Sequence, residues 1–397
     1  MWSLSLDRFL KPAGWVTIAM AILSPGGASA YDFRLVPSVA AREGYNSNIY
    51  FTPQDRVESW VTKVTPGLDV SGKTERLDAA AGGNVTWWSY NADANLNDFD
   101  YDVRARAAYR FSTAFRASAT GEYRKESNPD RIFETTGVVQ NFQVDYRQDY
   151  TASAEYALSE KASSTLSYAY QRLDYPDLPL QDSTSHLADL GFAYNLSRYA
   201  TETKARLNLG FGRGEYEGLT VNNYTLTVGV FRAVHELWSA QVDIGGRYTT
   251  SQFDVLGQRE ESNDTGWVGD ASVIYTGERT NGSFTFSSNI APAYGYTGAV
   301  QRTSGVLNLR RRFLHDLTGT LSAGYYWNKS NAGQYSYRSI DEQSAMLRPG
   351  IRWEATRHIV LDAAYQYYWR RYELTGATAM QNYVYAGATL SYPFFDE

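Results

Sequence analysis

From Tyr31 onward, apolar and polar residues alternate in runs of about ten, each closed by a turn before the next begins. The last run is the clearest. Val384, Ala386, Ala388, Leu390, Tyr392 and Phe394 stand one residue out of step with Tyr383, Tyr385, Gly387, Thr389 and Ser391. A period of two puts the first set on one face of a strand and the second on the other. The runs follow one another without a break, which constrains the fold more than any motif does. In lipid, only helices and closed barrels satisfy their backbone polar groups. The pattern predicts an all-β chain, a transmembrane antiparallel up-and-down β-barrel of about 18 strands, with 16 as the alternative even number.

The first thirty residues read differently. Arg8 and Lys11 form a basic start, Trp15 to Leu23 an apolar core, and Ala28-Ser29-Ala30 a small-x-small cleavage pattern. This predicts a secretory signal over 1–30, with the barrel over 31–397. No later segment has the roughly eighteen consecutive apolar residues of a membrane helix. Mean hydropathy is −0.44, a value a barrel reaches because only alternate residues face lipid. Aromatic residues make up 15% of the chain, enough to furnish girdles at both membrane interfaces. The formal charge of −6 gives no footprint for nucleic acid. Cysteine is absent, which excludes disulfides, thiolate catalysis and cysteine-held metals.

Tight turns are expected near Gly72-Lys73, Ser112-Thr113, Ser159-Glu160, Ser197-Arg198, Val234-His235, Glu278-Arg279, His315-Asp316 and Thr356-Arg357. Longer polar connections are expected at Asn46 to Glu58, Asn128 to Val138, Phe253 to Asp264 and Asn328 to Ser339. Short turns on one side and longer loops on the other match the outer-membrane arrangement. No loop is conspicuously long, which points to a wide pore or to blockage by modest loops. Pro37 and Pro349 fall inside expected strands, where each removes a ladder hydrogen bond.

One face of the runs is apolar: Leu207, Leu209 and Phe211; Tyr224, Leu226, Val228 and Val230; Ile359, Leu361, Ala363, Tyr365 and Tyr367. The other carries charge. Arg104, Arg106 and Arg110 alternate with Val103, Ala105 and Tyr109, and Arg116, Glu122 and Arg124 follow on the next strand. Asp145, Arg147, Asp149 and Glu155 come next, and Arg310 and Arg312 repeat the pattern later. An arginine at the bilayer midplane costs about 2–4 kcal/mol, so these residues are expected to line a lumen. There they can screen solutes or grip carboxylates, or they can pair across strands and stiffen the wall. Arg311 shares parity with apolar Leu309 and Phe313 and is expected to snorkel beside a periplasmic turn.

Catalytic patterns are sparse. The chain has no HExxH, GxSxG or Walker run. His186, with nearby Asp182, Ser183 and Ser185, is the one hydrolase-like grouping, against the plainer reading of a loop-end histidine in water. The alternating Gly210, Gly212 and Gly214 read as strand residues rather than a phosphate loop. The chain is therefore expected to be neither an enzyme nor a cofactor or metal protein.

Ala41 to Tyr50 (AREGYNSNIY), followed by Thr65-Pro66-Gly67-Leu68, resembles the start of the putative beta-barrel porin 2 family and of related outer-membrane proteins of exopolysaccharide operons and PEP-CTERM sorting systems. The resemblance implies an outer-membrane barrel that helps a polysaccharide polymer cross, with lipid and lipopolysaccharide around it and a periplasmic polysaccharide-export protein as partner. Family members often carry an acid where Ser47 stands, so no site is carried over there. The alternatives are a diffusion porin for small solutes, an outer-membrane hydrolase, and a structural barrel.

Overall fold

The computed structural model describes residues 32–128, 136, 144–176, 182–255, 258–294 and 296–394. The expected signal over 1–30 lies outside the described residues, as does most of the connection expected at Asn128 to Val138. Eighteen strands follow in chain order: β1 (Asp32–Asn46), β2 (Ser59–Lys73), β3 (Leu77–Tyr90), β4 (Asp98–Arg110), β5 (Phe115–Glu126) and β6 (Asp145–Ala157); β7 (Ala162–Asp174), β8 (Ser183–Asn195), β9 (Thr203–Tyr216), β10 (Leu219–His235), β11 (Trp238–Val255) and β12 (Gln258–Thr276); β13 (Thr280–Pro292), β14 (Ala299–Arg312), β15 (Leu317–Ser330), β16 (Ile340–Glu354), β17 (Ile359–Tyr372) and β18 (Thr378–Ser391).

Each strand pairs antiparallel with the next, and β1 closes on β18 from Ser38↔Ser391 to Asn46↔Tyr383. This is a closed 18-strand up-and-down barrel. Closure leaves every strand with two neighbours, which is what the absence of water in hydrocarbon demands. The eight expected turns all lie at or beside the connections of one rim.

Side-chain parity gives the two faces. Leu226, Val228 and Val230 on β10 sit opposite Leu209, Leu207 and Ala205 on β9, and the large apolar members of this set are exposed. Such a band is stable only against lipid. Trp60, Trp267 and Trp327 stand exposed toward the loop rim, and Trp238 and Trp353 toward the turn rim, where indole amphipathicity favours headgroup depth. Arg311 lies with its guanidinium 6.0 Å from the Phe313 ring, beside the turn as expected.

One expectation is corrected. The described residues of Phe253 to Asp264 are not loop: they are the end of β11 and the start of β12, paired continuously from Phe253↔Glu260 to Thr249↔Asp264. Their sequence reads as loop because this hairpin rises past Trp267 into water, where neither face is required to be apolar. The effect of Pro349 is local, as a single missing ladder hydrogen bond implies. Beside Pro349 the β16–β17 pairing lapses between Leu347↔Tyr367 and Gly350↔Ala364, then resumes in the same register. Pro66 does the same between β2 and β3.

Candidate functional site

The lumen is not open along its length. Near the loop rim it is crossed by chain that leaves the wall, and the departure begins between β12 and β13. These strands pair only from Thr276↔Asn281 to Gly269↔Ser288, whereas β13 stays paired with β14 up to Pro292↔Ala299. The outer end of the β13–β14 hairpin thus bends inward. What would be its lipid-facing side then packs on the inner wall: Ala299 and Ile290 meet Leu219, Val221 and Phe253 of β10 and β11. Ser288, fully buried, shares a 3.0 Å hydroxyl bond with Thr303 in the same layer. Burial of this apolar patch, at about 25 cal/mol per Å2, is what holds the hairpin in.

Tyr294 and Tyr296, at the hairpin tip, reach two other parts of the wall. Tyr294 packs on Leu173 and Tyr175, and its hydroxyl donates to Gln171 of β7 at 2.9 Å. Its ring lies 5.3 Å from the Arg147 guanidinium and 5.5 Å from that of Arg302. Tyr296 donates to Glu342, which also receives Arg370 of β17 at 2.6 Å. Burial first, and the neighbouring Glu342 charge second, hold the Tyr296 phenol well above its ordinary range. It therefore stays a donor.

A second loop, 331–339, braces the hairpin. Tyr335 donates to Asp264 of β12, and Arg247 of β11 bridges the two, 2.8 Å from the Asp264 carboxylate and 2.7 Å from the Tyr335 hydroxyl. The tip and this loop meet where Gly298 pairs with Ser336 and the Ala299 amide donates to the Tyr335 carbonyl at 2.8 Å. Gly298 has φ +125°, and a Cβ there would strike the Tyr335 carbonyl and Ser336. Only glycine meets both demands. The first connection, 47–58, also folds inward, seating Phe51 against Met346, Tyr368 and Ala379. Thr136 accepts a bond from Asn328 of β15 at 3.1 Å.

A cavity of about 300 Å3 lies against the inner faces of β1–β5 and β16–β18. Arg42, Lys63 and Arg348 contribute cations from one side, Asp100, Asp102 and Glu126 carboxylates from the other. Trp88, Tyr383 and Tyr385 supply ring surface.

The expected lumen residues separate into three groups. Arg124, Asp145, Arg147 and Asp149 gather at the constriction: Arg124 lies 3.2 Å from Glu122 and 3.5 Å from Glu126, and Arg147 2.8 Å from Asp149. Arg104 and Arg106 sit nearer the turn rim, paired with Asp69 at 2.8 Å and Asp78 at 3.9 Å. Arg110, Arg116, Glu155, Arg310 and Arg312 occupy the exposed turn-side mouth. There Arg116 stands opposite Glu155 and Arg312 donates to the Glu278 carbonyl at 3.2 Å. The expectation missed Arg42, Lys63, Arg247, Arg302, Arg348 and Arg370. Inward parity on β1, β2, β11, β14, β16 and β17 marks all six, whereas nothing in the residues of 293–298 says that the loop turns inward.

His186 is not placed for hydrolysis. It sits on the outer face, its Nδ1 2.7 Å from the Tyr168 hydroxyl and its ring 5.2 Å from Tyr170. Ser183 and Ser185, one residue out of step, belong to the opposite face.

A family model described as "Putative beta-barrel porin 2" matches residues 23–144. The chain is an outer-membrane β-barrel, similar to that family over those residues. Among solved structures it is similar to OccAB4 of Acinetobacter baumannii, with a TM-score of 0.46, 8% identity, and coverage of 91% of this chain and 98% of that one. It is also similar to the outer membrane protein OpdK of Pseudomonas aeruginosa, with a TM-score of 0.44, 11% identity, and coverage of 90% and 99%. Among curated proteins no relative matches.

Proposed function

We propose that this barrel is a selective diffusion channel for small polar solutes. The reading rests on one observation: the inward β13–β14 hairpin carries Tyr294 to Gln171 on a remote part of the wall. Eighteen strands enclose a lumen wide enough for water, and the hairpin reduces it to a charged passage. Passage is passive. Fixed arginines and carboxylates replace part of a solute's hydration shell, and the narrow aperture rejects what is large.

A second reading, export of a polysaccharide delivered by a periplasmic partner, is favoured by the girth of the wall. It requires the hairpin to leave the lumen, because Tyr294 and Tyr296 of its tip reach Gln171 of β7 and Glu342 of β16 across the path a moving polymer would take.

The test is reconstitution of the purified barrel in planar bilayers and liposomes. Small discrete conductance steps, with entry of monosaccharides and exclusion of oligosaccharides, are the expected result. Large steps with free passage of oligosaccharides would overturn the selective reading. Silence even after excision of 293–298 would overturn any channel.

A further inference from the structure

The inward bend of the β13–β14 hairpin leaves two strand edges unpaired. β12 runs on from Val268 to Gln258 beyond its last pair with β13, and among the described residues no strand pairs with it on that side. β13 runs on from Asn289 to Pro292 with β14 as its partner there. The alternation of the ladder says which groups are stranded. The Ala293 amide donates to the Gly298 carbonyl at 2.9 Å. Ala291 and Asn289 therefore bond to β14, whereas Ile290 turns its amide and carbonyl toward β12. Carrying the register on from Gly269↔Ser288 sets Ile290 opposite Trp267, whose own amide and carbonyl point back at it.

We infer that the outer end of this hairpin is a gate with a second seat in the wall: hinged at Ser288 and Thr303, it zips onto β12 with Ile290 beside Trp267 and clears the lumen. The inference rests on the channel reading and gives it a means of regulation. Ile290 and Ala299 carry the parity of lipid-facing residues. The side chains that cluster with Val221 and Phe253 inside would meet lipid beside Trp267 in the wall. Pro292, which has no amide to donate, falls where the added ladder would end. The hinge is a layer of hydroxyl pairs, Ser287 with Ser304 and Ser288 with Thr303, each at 3.0 Å. Each pair satisfies itself, so the bend can reverse without stranding a polar group. At rest the inner seat wins, through Tyr294, Tyr296 and the clustering of Val300 with Ile340. The wall seat offers backbone bonds and lipid contact in exchange, and is the minor state.

The chain has no cysteine, so Trp267→Cys combined with Ile290→Cys reports the wall seat. In the inner seat Ile290 packs inside the barrel while Trp267 is exposed outside it. Side by side in a ladder, their Cα atoms lie about 5.5 Å apart, which a disulfide spans. On oxidation of the full barrel in liposomes and planar bilayers, the disulfide should form and conductance should rise. Reduction should restore the small steps. Tyr294→Ala in the same background weakens the inner seat and should speed disulfide formation at least about tenfold. Retained heat-modifiable gel mobility shows that each variant is still a barrel. No disulfide, with or without Tyr294→Ala, overturns the gate, and small steps in that barrel leave the selective channel standing. A disulfide with unchanged steps overturns the gate as well. Silence in both redox states, with the disulfide formed, sinks the channel reading and the gate with it.

Discussion

Tyr294 and Gln171, separated by 123 positions in the chain, are joined by a hydrogen bond of 2.9 Å across the lumen. The bond itself contributes only about 1 kcal/mol. The packing of the Tyr294 ring on Leu173 and Tyr175 contributes more, because removing a buried aromatic costs about 3–5 kcal/mol. The hairpin tip is therefore held by shape first and by the hydroxyl second.

Tyr294→Phe should accordingly conduct almost as the native barrel does. Tyr294→Ala should release the tip and produce larger, noisier conductance steps. Single-channel recording in planar bilayers makes the comparison, and identical traces for the two variants would show that the tip does not set the aperture.

Gly298→Ala should displace the same hairpin from its other support. At φ +125° the new Cβ meets the Tyr335 carbonyl and Ser336, so the tip and the 331–339 loop cannot both stay in place. Strain of this kind costs on the order of 1–3 kcal/mol. The expected outcome is a stable barrel with raised conductance and faster protease cleavage at the loop rim. Wild-type conductance and cleavage together would refute it.

The ion pair of Arg370 and Glu342, 2.6 Å apart with side chains 2% and 4% exposed, predicts an asymmetry. Arg370→Met leaves the buried Glu342 carboxylate with Tyr296 as its one remaining donor among the described residues, and breaking such a pair costs about 3–5 kcal/mol. Adding Glu342→Gln to it should restore much of the loss, since the uncompensated charge is gone. Urea unfolding in vesicles reads both. A double variant no more stable than the single one would contradict the argument.

How much of this was legible beforehand follows from what lipid enforces. The lipid face demands apolar residues at every second position, so Leu207, Leu226 and Leu361 declare both strand and orientation. The turns near Ser159 and Thr356 declare the rim. Where lipid is absent the signal fades: Phe253 to Asp264 is strand, but its residues answer to water on both faces. The constriction was less legible again. Arg124 and Arg147 are recognisable as inward by parity, yet their gathering depends on Tyr294, which sits in a short connection of ordinary loop composition. Its inward turn is set by Ile290 and Ala299 finding Val221 and Phe253, a meeting of strands that no local pattern encodes.

Adjacent residues on β10 give the sharpest test of the two-faced wall. Leu226 is 50% exposed and stands between Leu209 and Gly246 in the ladder. Thr225 faces the lumen, where the Cβ position of Gly210 has both the Thr225 hydroxyl and the Asp189 carboxylate nearby. An arginine at position 226 projects into hydrocarbon and should cost about 2–4 kcal/mol. An arginine at position 225 projects into water beside Asp189 and should cost little, because it gains a carboxylate partner at an exposed site worth about 0–1 kcal/mol. Reversible unfolding of Leu226→Arg and Thr225→Arg in vesicles measures the difference. Equal losses would mean that the two faces of β10 do not meet different solvents, and the assignment of lumen and lipid along that strand would fail with them.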